Sequence, residues 1–305
     1  MPKLTDIIRR GQNRSDLIQK MMTDFQEAVA DLQDWLYTEF YNDFVTKAVS
    51  EGVISNTANA RNLINNSGVW QRYYRQSGTV GAVIVERLEV LVSSISDHFN
   101  SVLDGKKLSD FEIVGQRLIS ELGYDGKAFT RGGYLYNLMN DSNVERRVKA
   151  TAIQAIRAGK SLAEFQPDIK AMIKGGKASG KLGVVEGHYY TNANTAFSEF
   201  DRAMSLEVAD KNGLNFAIWS GPRLTTTRDF CADKKGKLLH RRQIIALSKK
   251  EWRGKIPGQS CLTSCGGYNC VDTLLWVSTE LAAEGIANKT LVLWNPEQWV
   301  LDELK

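Results

Sequence analysis

From Leu17 to Val45 apolar residues recur every three to four positions: Leu17, Ile18, Met21, Met22, Phe25, Ala28, Val29, Leu32, Trp35, Leu36, Phe40, Phe44 and Val45. That is the period of one buried helix face, with Asp, Glu, Gln and Lys filling the positions between. At about 1.5 Å per residue the stretch makes a rod of roughly 44 Å. A second stretch, Val80 to Leu103, is apolar on nearly all sides through Val83-Ile84-Val85 and Leu88, Val90, Leu91 and Val92. It predicts a central helix, although its β-branched residues leave a strand open. Shorter helices are predicted over 109–122, 143–158 and 161–174. A long one follows over 184–211, closed by Asn212-Gly213. Its stripe of Val185, Tyr189, Ala193, Phe197, Phe200, Met204 and Val208 reads as core packing. No strand–helix alternation of the dinucleotide-binding kind runs through this half.

After Gly213 the texture changes. Phe216-Ala-Ile-Trp219 reads as a short strand, followed by turn residues and a basic stretch with a helix start at Arg241. A further strand is predicted at Thr273–Ser278, and Leu291–Trp294 is either a last strand or an anchor for the tail. The fold class expected is therefore mainly α. A long-helix region over 1–212 precedes a small α+β domain over 213–305. A chain of 305 residues with 43% apolar content has enough core for two such domains. No run approaches the roughly 18 apolar residues of a membrane span. The polar start Met-Pro-Lys-Leu-Thr-Asp carries no secretory pattern, so the chain reads as made in the cytosol, with no membrane partner.

All four cysteines, Cys231, Cys261, Cys265 and Cys270, fall in one window of the second region. In a cytosolic chain such clustering suggests metal ligands or plain thiols more than a disulfide framework. Zinc takes four ligands in a tetrahedron. Cys265 and Cys270 can pair around Gly266-Gly267, with Cys231 and one of Cys261, His240 or Asp272 completing the set. The intervals are wider than the two-residue zinc knuckle. Three readings stay open: a zinc site, a disulfide or redox-labile pair, and buried free thiols. The same window is basic. Eleven Lys/Arg stand against three Asp/Glu between Arg223 and Lys255, while the whole chain carries only +4. Lys234, Lys235, Lys237, Arg241 and Arg242 are the candidate phosphate contacts, and a solvated basic face is the plain alternative.

Chemistry elsewhere is sparse. Gly175-Gly-Lys-Ala-Ser-Gly180-Lys181 approaches the phosphate-binding loop pattern, but Leu182 stands where a hydroxyl should meet magnesium, and a helical segment precedes it. A glycine connection between helices is the expectation. The three histidines, His98, His188 and His240, sit in no motif that places one beside a nucleophile. Cys231 with His240 could in principle make a thiolate pair, without an oxyanion hole or an orienting carboxylate. The chain reads as non-enzymatic.

Several short motifs in order resemble a known family. The helix containing Tyr190-Thr-Asn-Ala-Asn-Thr-Ala-Phe197 is followed by Phe216-Ala-Ile-Trp219-Ser-Gly and by Thr227-Arg228-Asp229-Phe230-Cys231. Then come Gly236-Lys237, Arg241-Arg242-Gln243-Ile244 and Gly267-Tyr268-Asn269-Cys270. This order resembles the C-terminal domain of phage minor head proteins of the Mu F type, also called head-morphogenesis proteins, over roughly 180–280. Two positions depart from the family. Val271-Asp272 replaces an arginine–histidine pair after the last cysteine, and Thr191-Asn192 stands in place of an arginine–threonine–glutamate run. The resemblance implies a virion protein in several copies at the portal vertex or head interior. Its partners would be the portal protein, other head or neck proteins, and packaged double-stranded DNA held without sequence specificity. Within the domain Trp219 is expected as a core anchor and Arg228 with Asp229 as a turn-fixing pair. Cys231 with Cys270 is expected as the cross-link or metal pair, a disulfide forming only after release from the reducing cytosol. The alternatives are a phosphate-backbone DNA-binding protein and a toxin-like nuclease or transferase carried by a phage.

Overall fold

The computed structural model describes residues 4–50, 53–54, 62, 64–65, 67–103, 108–176, 181–222, 224–268 and 270–305. Among them the chain is mainly helical, with a small sheet-containing C-terminal region. The helices are α1 (Leu4–Ala48), α2 (Val69–Val102), α3 (Leu108–Glu121), α4 (Tyr134–Asn140), α5 (Asn143–Arg157), α6 (Leu162–Lys174) and α7 (Val184–Lys211). Two short hairpins interrupt them: β1 (Val49–Ser50) with β2 (Val53–Ile54), and β3 (Gly175–Gly176) with β4 (Lys181–Leu182). The glycine connection is thus framed by a hairpin; positions 177–180 of the phosphate-loop-like motif lie outside the described residues. The C-terminal elements are β5 (Phe216–Ser220), α8 (Asp229–Ala232), β6 (Lys237–His240), α9 (Arg241–Leu247) and α10 (Cys261–Ser264). They continue with β7 (Thr273–Val277), α11 (Thr279–Ala287), β8 (Val292–Leu293) and α12 (Gln298–Glu303).

Local chemistry sets the boundaries. Ser161 accepts from the Glu164 amide while the Glu164 carboxylate reaches back to Ser161, which starts α6 as a reciprocal cap. At the start of α9 His240 Nδ1 accepts from the Arg242 amide at 3.0 Å, while Gln243 Oε1 accepts from the His240 amide at 3.0 Å. The β-branched stretch around Val83–Val92 is helical, because burial of Val80, Ile84, Leu88, Leu91 and Ile95 follows a helical period.

The chain divides into two compact units. One holds Met1–Met21, Glu86–Glu121 and Ala193–Lys305; the other holds Met22–Val85 and Leu122–Asn192. The change of texture near Asn212 is therefore a change of secondary structure, while α1, α2 and α7 each contribute a stretch to both units.

The first unit contains a four-stranded sheet in the order β7-β5-β6-β8. β5 is antiparallel to both neighbours, and β6 is parallel to β8, so Leu291–Trp294 does contribute a strand. Every residue of β5 and β7 is buried, as expected of strands covered on both faces. The first turns of α1 lie against β7 so closely that a Cβ on Gly11 would sit 1.8 Å from Leu275 Cδ1. Only a residue without a side chain fits there. Arg14, one turn on, is 1% exposed; its Nε lies 3.0 Å from Asp201 Oδ1 of α7 and its Nη2 donates to Thr273 Oγ1 at 3.1 Å. Thr273 closes the ring by donating to Asp201. His98 of α2 donates from Nε2 to the Trp276 carbonyl at 3.2 Å.

The second unit packs the middle of α1 against α2, α6 and α7. Its core includes Phe25, Leu36, Phe40, Phe44, Trp70, Phe165 and Tyr189. Ring centroids of Phe44 and Phe165 lie 4.3 Å apart, and those of Phe40 and Trp70 5.7 Å apart. Contacts of this kind add about 0.5–1.5 kcal/mol each beyond the area they bury.

Candidate functional site

The residues singled out in the sequence meet in the first unit, where the ends of β5 and β7 face the turn that carries α8. Asp272, just before β7, is 3% exposed. Its Oδ2 accepts from Trp219 Nε1 at 2.9 Å, and its Oδ1 lies 2.9 Å from Lys235 Nζ. Lys235 also donates to the Pro222 carbonyl. One carboxylate thus ties the Trp219–Pro222 segment, the turn after α8 and the start of β7 together.

Two arginines hold the adjoining loop by its backbone. Arg228 Nη1 and Nη2 donate to the carbonyls of Gly266 and Tyr268 at 3.3 and 2.5 Å, and Trp252 Nε1 adds a bond of 2.9 Å to the Gly266 carbonyl. From α7, buried Arg202 donates Nε to Thr263 O at 2.6 Å, and Nη1 to both Cys270 O and Asp272 O at 3.0 Å. Asp229 is exposed beside Arg228, so Arg228 fixes the distant loop rather than a turn shared with its neighbour. Asn269 lies outside the described residues.

Cys231 of α8 and Cys270 place their sulfurs 3.9 Å apart. The Gly266 amide donates to Cys270 Sγ at 3.2 Å, and a Cβ at Gly266 would approach Cys231 Sγ to 2.2 Å. A side chain at 266 would therefore separate the thiols. The hydrogen bond between them pushes Cys270 below the usual thiol range and holds Cys231 above it, so the two thiols titrate as one coupled pair. Burial raises both Cys261 and Cys265. A cavity of about 40 Å³ touches Cys231, Cys270, Asp272, Lys235 and Arg228, room for a water or a single ion.

The donor set can be tested against zinc. Bonds of about 2.3 Å in a tetrahedron put two thiolates about 3.8 Å apart, a spacing Cys231 and Cys270 already have. Asp272 is the third donor of this group, within 4.8 Å. Cys261 and Cys265 are not part of it, and both Asp272 oxygens already have partners in Trp219 and Lys235. These residues do not assemble a closed four-ligand zinc centre. As a dithiol, the pair can close to a disulfide by giving two protons and two electrons to an external oxidant.

The candidate phosphate contacts separate. Lys234 is 3% exposed; its ammonium donates to the Phe230 carbonyl at 2.6 Å and stands 3.8 Å from the Phe230 ring centroid, and burial lowers its pKa. Lys235 is turned inward to Asp272. Lys237 pairs with Asp233 at 3.4 Å, and Arg241 pairs with Asp210 and lies over the Trp276 ring. Arg242 is exposed, over Trp299. Sequence reasoning missed Arg202 and the inward course of the two lysines. One signal was present: Arg202 and Asp201 interrupt the apolar texture of α7 immediately before Ala203-Met204.

Comparison with family models, with curated proteins and with solved structures returns no match.

Proposed function

We propose that this protein is a virion structural component, a minor capsid or head-morphogenesis protein of the Mu F-like type, working without catalysis at the portal vertex. What supports the reading is how the resembling motifs are used. Trp219 bonds Asp272, 53 positions away, Arg228 bonds the loop at Gly266 and Tyr268, and Cys231 meets Cys270. Residues that bond one another across such separations act as fastenings of a fold, the use a structural domain makes of them. Asp272 accepts the Trp219 and Lys235 bonds at one of the positions that depart from the family. The test is fractionation of purified, gently disassembled particles. Co-purification of the chain with portal, at several copies per vertex, is expected; its absence from particles would overturn the proposal.

A second reading, contact with DNA phosphates, draws support from the exposed cations Arg242, Lys249, Lys250 and Arg253. Lys234 and Lys235 are replaced in that role. Affinity of the full chain for a duplex should then fall with salt at about 0.9 log units per log unit for each phosphate neutralised. A flat salt response removes this reading.

A further inference from the structure

We propose that the groove between α5 and α6 receives an acidic amphipathic helix of a partner protein. The groove has a volume of about 570 Å³ and lies wholly within the second unit. Along α5 and its C-cap it is lined by Arg147, Thr151, Gln154, Ala155 and Ala158, whose spacing puts them on one helix face. From Arg147 to Ala158 that face runs about 16 Å, three turns of a helix laid beside it. Alanines at 155, 158 and 171 keep the floor low, and Met172 and Leu182 complete an apolar base. Leu182 is 56% exposed, an aliphatic side chain left in water at the end of a two-residue strand.

The rim is basic. Arg147, Lys160 and Lys181 line it against one acid, Asp168, and that acid is paired with Lys160. Among the described residues Arg147 and Lys181 have no acidic partner, which leaves the groove with two uncompensated positive charges. An apolar floor between cationic edges complements a helix that inserts Leu-type side chains at i, i+3, i+4 and i+7 and carries Glu or Asp along its flanks. A nucleic acid backbone would meet the cations but has nothing to set on Met172 and Leu182.

The proposal does not depend on the virion role and is tested on the full-length chain. The probe is a fluorescent peptide of about 15 residues with Leu at those intervals and Glu elsewhere, beside a scrambled peptide of the same composition. Saturable binding by the patterned peptide, weakening as salt is raised, is expected. Binding should drop at least about tenfold both in Arg147→Glu/Lys181→Glu and in Leu182→Asp. All three positions are exposed, and unchanged circular dichroism and melting establish that the variants are folded. Failure of the patterned peptide to bind, equal binding by the scrambled one, or full binding by either variant overturns the proposal. Binding of a DNA duplex instead of the peptide, lost in the charge variant, overturns it in favour of a nucleic acid. Self-association of the chain that Leu182→Asp abolishes overturns it in favour of a second copy.

Discussion

Asp272 shows what a single side chain can hold. Its charge is buried, and the Lys235 ammonium and the Trp219 indole N–H take its two oxygens. A buried pair contributes little net stability over an apolar pair of similar shape, but removing one partner strands the other charge. Lys235→Met should therefore cost about 3–5 kcal/mol in urea unfolding. Lys235→Met/Asp272→Asn, which removes the stranded charge and keeps an acceptor for the Trp219 indole, should recover most of that loss. A double variant no more stable than the single one would show that Lys235 acts through some other contact. Part of this arrangement was legible beforehand. Trp219 as an anchor and the meeting of Cys231 with Cys270 were what the resemblance implied, whereas spacing alone paired Cys270 with Cys265. The inward course of Lys234 and Lys235 did not, because composition counts a lysine as surface charge whichever way it points. Lys234 lies against the Phe230 ring and Lys235 against Asp272, and each partner is fixed by turns that pattern cannot resolve.

At the scale of elements, helical periodicity gave α3, α5, α6 and α7 to within a residue or so, since one buried face repeats along each of them, but it began α2 at Val80 where the helix starts at Val69. The short pieces α4, α8 and α10 escaped it; four to seven residues do not complete a repeat. Periodicity also said nothing of what the first turns of α1 rest on. Arg14 of α1, Asp201 of α7 and Thr273 of β7 form a buried polar ring, with Gly11 against Leu275 beside it. Arg14→Met should cost about 3–5 kcal/mol by leaving Asp201 unpaired, and Arg14→Met/Asp201→Leu should restore much of it. Chemical denaturation of the two variants reads the difference. His98, close by, adds a pH dependence. Burial, with the Arg14 charge adding to it, lowers its pKa to about 3 from an ordinary value near 6.5. The unfolded chain thus binds a proton below pH 6.5 that the folded chain refuses until near pH 3. Stability falls as pH drops through that interval, by about 1.4 kcal/mol per unit from this group. Between pH 7 and 5 the loss is roughly 2 kcal/mol. His98→Gln keeps a donor for the Trp276 carbonyl and should flatten that part of the profile; an unchanged slope would assign it to other groups.

For the whole molecule, composition and periodicity place a boundary near Asn212, where helix gives way to sheet and basic loop. The compact units follow a different division, because the sheet-bearing unit also takes in Met1–Met21, Glu86–Glu121 and the second half of α7. Local patterns report what a segment is, and the partner of a buried strand lies outside the segment. β7 is buried along its whole length, yet much of what covers it comes from far upstream: Gly11 against Leu275, Arg14 on Thr273 and His98 on Trp276. The loop from Thr263 to Asp272 hangs on Arg202 through three carbonyls. A fragment of residues 213–305 keeps all four cysteines, Trp219, Lys235 and Asp272, and loses every one of these upstream partners. Leu275 and Trp276 would then face water, and the three carbonyls would lose a charged donor whose bonds are worth about 1.5–3 kcal/mol each. The fragment should therefore melt without a cooperative transition and bind an apolar dye, while the full chain unfolds in a single sharp step or in two. A fragment with a sharp transition and well-dispersed amide resonances would mean that the change of texture at Asn212 is also a folding boundary, with the upstream helices resting on a domain complete without them.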